Sequence, residues 1–140
     1  MYDTILLPTD GSPAAEDAAD HAFSHADQYG ATVHVLSVVE MSGSPAAGSR
    51  RDEEVESRRE QRADETDDLV AAADDRGIDA VGVVEVGTPS RVITRYAAEH
   101  AVDLIVMSTH ARSGIGRFLY GSVTERVLQD GDSPVLAIQR

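Results

Sequence analysis

The strongest constraint in this chain is a regular alternation of two kinds of segment. Short apolar runs rich in Val, Ile and Leu alternate with stretches whose small and apolar residues recur at helical spacing. "YDTILLPTD" carries the apolar run Ile5 to Leu7, ended by Pro8, and reads as a buried strand opening into a loop. Ser12 followed by Pro13 is a helix N-cap and a helix-compatible first position. Ala15, Ala18, Ala19, Ala22, Phe23 and Ala26 then follow at helical spacing, and Gly30 supplies the stop. "ATVHVLSVVE" is a β-branched second strand. From about Arg51 to Arg76 the chain is highly charged, with few apolar positions, and is expected to be a surface helix stopped by Gly77. Its charge run reads as a solvated face.

The second half repeats the pattern. "DAVGVVEVG" is a third strand, Thr88-Pro89 repeats the cap-and-proline start, and Val92, Ile93, Tyr96 and Ala97 form one helix face. "VDLIVMS" is apolar on consecutive residues, as expected of a strand buried on both faces. Ser122-Val-Thr-Glu125 has capping-box spacing and predicts a helix start at Ser122, with a stop near Gly131. "SPVLAIQ" is a fifth strand. The order β-α-β-α-β-α-β-loop-α-β implies one α/β domain over residues 1–140, with a mostly parallel sheet covered on both faces.

Composition removes several function classes. The net charge is −13, against nucleic-acid binding, and aromatic residues are too few for a base-stacking surface. No run approaches a membrane span. The N-terminus has no basic region or cleavage site, so the expected location is the cytoplasm. There is no cysteine, hence no disulfide and no thiolate chemistry. All 12 positive residues are arginine. An acidic, lysine-free chain is similar to the proteins of salt-in halophilic archaea, whose acidic surfaces keep them soluble where salt screens charge. Without lysine, neither a Walker A phosphate clamp nor Schiff-base catalysis is available.

Sheets of this kind bind ligands beyond the carboxyl ends of their strands, where strand order reverses. Two strand ends are polar and turn-forming: "PTDGS" after the first strand, and "MSTHARSGIGRFLYGSVTERV", Met107 to Val127, after the fourth. In the second, Ser122 and Thr124 fall at the expected helix start, where free N–H groups favour an anion. Gly121 permits close approach of a phosphate, while Gly114 and Gly116 let the loop wrap. Asp10 could bond a ribose hydroxyl or help hold Mg2+. The pieces describe a nucleotide site, with the base against the second strand. Each piece also has a plainer reading: Asp10 shaping a turn, Ser122 capping its helix, His110 a polar loop residue. Ser108, Ser113 and Ser122 lie in no nucleophile-elbow sequence. His21 and His25 are one helical turn apart, without a third ligand in view.

At these residues the chain resembles the universal stress protein family. The resemblance runs from "ILLPTDGS" through "VHVLSVVE" and "VEVGTPSRVI" to "DLIVMSTHARSGIGRFLYGSVTERVL" and "SPVLAIQ". It implies a three-layer α/β/α sandwich, Rossmann-like and adenine nucleotide alpha hydrolase-like, with strand order 3-2-1-4-5. It implies ATP or another adenine nucleotide, AMP or ADP, with or without Mg2+, bound between strands 1 and 4. The site residues carried over are Pro8, Thr9, Asp10, Val38, Gly87, Pro89, Met107, Ser108, His110, Ala111, Arg112, Gly114, Gly121, Ser122, Val123 and Thr124, with Asp10 the candidate for Mg2+. The family's ATP-binding pattern places glycines where this chain has Ser108 and Ala111. If the backbone at Ala111 needs positive φ, the Cβ costs roughly 1–3 kcal/mol, a ~5- to 150-fold loss of affinity. The resemblance also implies a homodimer through strand 5, Pro134, Val135, Leu136, Ala137 and Ile138.

The resulting expectation is a nucleotide-dependent regulator or stress protectant with at most slow ATP hydrolysis. One alternative is a dimeric scaffold of the same fold that binds no nucleotide. A third is a small hydrolase using a loop Ser or His.

Overall fold

The computed structural model describes residues 2–40, 48–109 and 115–139, with side chains for 2–40, 52–109 and 123–139. Nine elements alternate along it: β1 (Thr4–Thr9), α1 (Pro13–Tyr29), β2 (Thr32–Val39), α2 (Gly48–Asp75), β3 (Ala80–Val86), α3 (Pro89–Glu99), β4 (Leu104–Ser108), α4 (Ile115–Asp130) and β5 (Val135–Ile138). The strands form one parallel sheet in the order β3-β2-β1-β4-β5.

The continuous apolar runs take the centre. Ile5–Thr9 and Leu104–Ser108 are buried at every residue, because helices cover both faces. One face packs Ile5, Leu7, Val33 and Val106 beneath α1 and α2. The other packs Leu6, Leu36, Ile105 and Met107 beneath α3 and α4. Each such side chain, fully buried, contributes about 1.5–3 kcal/mol. Small residues let α1 lie close: Ala18 and Ala22 are wholly buried. Ser12 caps this helix by accepting the Ala15 N–H at 3.3 Å, and Gly30 ends it in the left-handed conformation. Asp103 ties the bottom of β1 to β4, its Oδ2 accepting the Asp3 and Thr4 N–H groups at 2.8 and 3.0 Å.

Four expectations need correction. Strand β1 does not stop before Pro8 but runs through it to Thr9. Pairing of β1 with β4 is confined to Ile5↔Leu104 and Leu6↔Ile105, so the ladder on that side has ended where proline brings no N–H. Helix α4 begins at Ile115, not Ser122. Capping-box spacing also arises inside helices, and Arg117 to Tyr120 continue helical hydrogen bonding readily enough to carry it through Gly121. Thr88 is the N-cap of α3 by position but makes no side-chain capping bond. Finally, α2 is not a purely solvated helix. Thr66 and Ala73 are buried, and Gly82 of β3 lies so close that a Cβ there would come within 2.5 Å of Thr66 Cγ2.

Candidate functional site

The crevice follows from where β1 and β4 part. Beyond Leu6 and Ile105 the two strands no longer pair. β1 stays with β2 as far as Thr9↔Ser37, and β4 stays with β5 as far as Ser108↔Ile138. The sheet therefore opens at its carboxyl edge where strand order reverses, between Thr9 on one side and Ser108 on the other.

On the β1 side the chain makes a tight turn. Asp10 Oδ1 accepts the Ser12 N–H at 2.9 Å, and Thr9 Oγ1 accepts the Gly11 N–H at 3.2 Å. Gly11 has φ +77°, a conformation that glycine adopts at little cost. These bonds bring the chain from β1 into the N-terminus of α1. Pro8 and Thr9 are buried and Asp10 half-buried. Val38 is half-buried on the neighbouring strand and packs on the α3 and α4 face. Gly87 follows β3, its N–H donating to Val39 O at 2.9 Å, and Pro89 opens α3.

On the β4 side Met107 and Ser108 are buried strand residues. Ser108 is not among the described non-glycine residues with positive φ, so its backbone makes no demand for glycine. Thr124 Oγ1 donates to Ser108 O at 3.3 Å and draws α4 onto the end of β4. Val123 is half-buried beside it. Gly121 and Ser122 lie within α4, one and a half turns or more from its start at Ile115. Ser122 therefore offers an anion no free helix N-terminus; the terminus is at Ile115. His110, Ala111, Arg112, Ser113 and Gly114 lie outside the described residues.

Sequence reasoning missed Arg62 and Glu65, which it assigned to a solvated face. Arg62 Nη1 donates to Asp10 O and pairs with Glu65 Oε2 at 3.0 Å. Helical spacing is at most a partial signal: Arg62, Thr66, Leu69 and Ala73 fall in one row of α2, but exposed Arg58 falls in it too. A cavity of about 400 Å³ adjoins this contact between α1 and α2. Thr9, Gly11 and Ser12 line its end, Phe23 and Leu69 part of its apolar wall, and Glu65 and Asp68 part of its acidic wall.

Two perturbed titrating groups, His34 and Tyr96, lie elsewhere, on the α3 face. His34 Nδ1 and Tyr96 Oη share a 2.6 Å hydrogen bond, and Tyr96 stacks on His100 at 3.8 Å. Burial, then the nearby His100, lowers the pKa of His34; burial, then Glu85, raises that of Tyr96. His34 is level with Leu6, below the point where the crevice opens. Among the described residues no group of three or more His, Cys, Asp and Glu converges on a cation position. No helix among them is long and apolar enough to cross a membrane.

Residues 1–139 match the model of the universal stress protein family. A universal stress protein of Methanocaldococcus jannaschii is 34% identical, the match covering 100% of this chain and 84% of the relative. Among solved structures, hypothetical protein MJ0577 superposes with a TM-score of 0.89 at 28% identity, covering 100% of this chain and 97% of the other. A universal stress protein in complex with cAMP superposes with a TM-score of 0.68 at 25% identity, covering 99% and 97%.

Proposed function

This chain belongs to the universal stress protein family, and on that premise we propose that it binds ATP or another adenine nucleotide in the crevice between β1 and β4 and acts as a nucleotide-dependent regulator or stress protectant. The observation that carries the reading is the parting of β1 and β4 after Leu6 and Ile105, which leaves the Thr9–Ser12 turn facing the end of β4. A solved relative holding cAMP supports an adenine nucleotide as the ligand class.

The residues divide the work by chemistry. Asp10 and the turn behind it address the ribose, and half-buried Val38 offers apolar surface to the base. The β4–α4 segment from His110 to Thr124 addresses the phosphates. Mg2+, where required, arrives with those phosphates, because it keeps most of its waters and takes one or two carboxylates at most. With no lysine in the chain, the reading is of binding rather than efficient turnover. The partner is a second copy: β5 is an edge strand of half-buried Val135, Leu136 and Ile138. An apolar edge of this kind invites pairing across a twofold axis. The acidic, lysine-free surface favours a cytoplasm rich in salt.

The test is to purify the protein in molar KCl, denature it and identify any released nucleotide by chromatography. ATP and AMP are then titrated into the emptied protein by calorimetry. Micromolar binding that is lost in Asp10→Ala supports the reading. The absence of both co-purified nucleotide and heat up to millimolar ATP refutes it and favours the scaffold, the reading to which Ala111 at a glycine position of the pattern points. Sedimentation of the wild type against Leu136→Asp tests the dimer.

A further inference from the structure

Within residues 9–12 two side-chain bonds shape the turn that faces the crevice, from Ser12 N–H to Asp10 and from Gly11 N–H to Thr9. A further contact comes from α2, 52 residues along the chain: the Arg62 guanidinium donates to the main-chain carbonyl of Asp10. The same nitrogen pairs with Glu65 at 3.0 Å, and together the two side chains close over Gly11. A Cβ on Gly11 would lie 2.7 Å from Glu65 Cδ and 2.8 Å from Arg62 Nη1, so the pair is seated directly on the turn.

The base of this contact is rigid. Thr66, one turn after Arg62, is 1% exposed. Its Oγ1 donates to Arg62 O at 2.7 Å and lies 3.2 Å from Ser37 Oγ on β2, level with Thr9. The helix turn carrying Arg62 is thus fastened to the sheet beside the strand whose end it holds. An ion pair three residues apart on an open helix would contribute little. Here both side chains are less than a third exposed, and the cation is also bound to the main chain of the turn.

We propose that Arg62 is a positioning residue for the crevice: with Glu65 it straps the Asp10–Ser12 turn in the shape presented to the nucleotide. The inference rests on the nucleotide reading, but its mechanical half is measurable without ligand. Arg62 acts through the Asp10 carbonyl, leaving the Asp10 carboxylate to its own bonds. Linkage makes the effect reciprocal, so a ligand that requires the strapped turn must also tighten the hold of α2 on it.

The experiment compares the full-length wild type with Arg62→Met, Arg62→Lys and Arg58→Met. Arg62→Met keeps an apolar stem and removes the donor. Arg58 is exposed one turn earlier on α2, so Arg58→Met controls for losing a positive charge on that helix. Two quantities are read: the ATP dissociation constant, and amide exchange over residues 11–15 without nucleotide. In Arg62→Met exchange accelerates and affinity falls roughly 3- to 10-fold, the range expected for losing a hydrogen bond that holds the turn. Arg62→Lys, which retains a cationic donor, falls between, and Arg58→Met matches the wild type. Glu65→Gln approaches the strap from its other end and shifts both readouts in the same direction. Unchanged exchange in Arg62→Met overturns the proposal, whether or not affinity falls, since Arg62 would then act only as a charge. If the wild type binds no ATP, the nucleotide reading fails by itself. The exchange arm then decides the strap alone: acceleration in Arg62→Met supports it, and no change overturns it.

Discussion

Replacing Gly11 by alanine separates two costs that the structure superposes. Gly11 has φ +77°, and Arg62 and Glu65 fill the space a Cβ would enter. Gly77 has nearly the same backbone, φ +74°, but nothing lies within 4 Å of a Cβ built there. Gly77→Ala therefore measures the left-handed conformation alone, about 1–2 kcal/mol. Gly11→Ala bears that cost and must also displace the pair. Moving Glu65 forfeits a partly shielded ion pair, about 0.2–1 kcal/mol. Moving Arg62 forfeits its bond to the Asp10 carbonyl, about 0.5–1.5 kcal/mol. The expected totals are about 1–2 kcal/mol for Gly77→Ala and about 2–4.5 kcal/mol for Gly11→Ala.

The assay is denaturant unfolding at one fixed salt concentration, so that m-values can be compared. Adding Glu65→Ala to Gly11→Ala should recover part of the excess, because one obstacle is gone while the backbone cost stays. The difference between the cycle's arms is the coupling between turn and strap. Equal destabilisation by Gly11→Ala and Gly77→Ala, within about 0.5 kcal/mol, would refute the claim that the pair is seated on the turn.

Other changes have signs fixed by the structure. Thr124→Val removes the donor to Ser108 O; it should cost about 0.5–1.5 kcal/mol in unfolding and weaken ATP binding in calorimetry, since α4 is held at the crevice by that bond. Gly82→Ala should overpack the α2–β3 contact at Thr66 and lower stability by about 1–3 kcal/mol, read by thermal melting. The folded pKa of His34 lies below its ordinary 6.5, so the stabilisation is fully present above pH 6.5 and is lost as pH falls through that value toward the folded pKa. Melting from pH 7.5 to 5 should show that loss in the wild type and a smaller one in His34→Gln, the groups facing it being Tyr96 on α3 and His100 at that helix's C-cap, with Glu85 on β3 beside Tyr96. Asp103 is held below its ordinary 3.8 by the Asp3 and Thr4 N–H groups, so the destabilisation by Asp103→Ala, clear at pH 7, should shrink as pH falls below 3.8.

What the sequence made legible was what repeats over several residues. The runs Ile5–Leu7 and Leu104–Met107 report burial on two faces because no polar residue interrupts them, and the helices between them require a parallel sheet. Ser12-Pro13 was readable because a cap is satisfied within its own turn, here by Ala15 N–H. Ser122 shows the limit of the same reasoning. Its capping-box spacing is local and weak, and the α4 helix runs past it from Ile115 because nothing in Arg117–Tyr120 opposes helix strongly. The strap and the His34–Tyr96 pair were illegible for a different reason. Each joins residues more than fifty positions apart, and only the pairing of β2 with β1, and the packing of helices over those strands, brings them together. A charged residue on a polar helix carries no sign of whether it meets water or a carbonyl. Arg62 and Arg58 fall in the same row of α2, but Arg62 is half-buried where the helix meets the sheet at Thr66, while Arg58, one turn earlier, is exposed. The contrast between those two arginines is therefore the sharpest separation of sequence from structure in this protein, and the paired variants measure it directly.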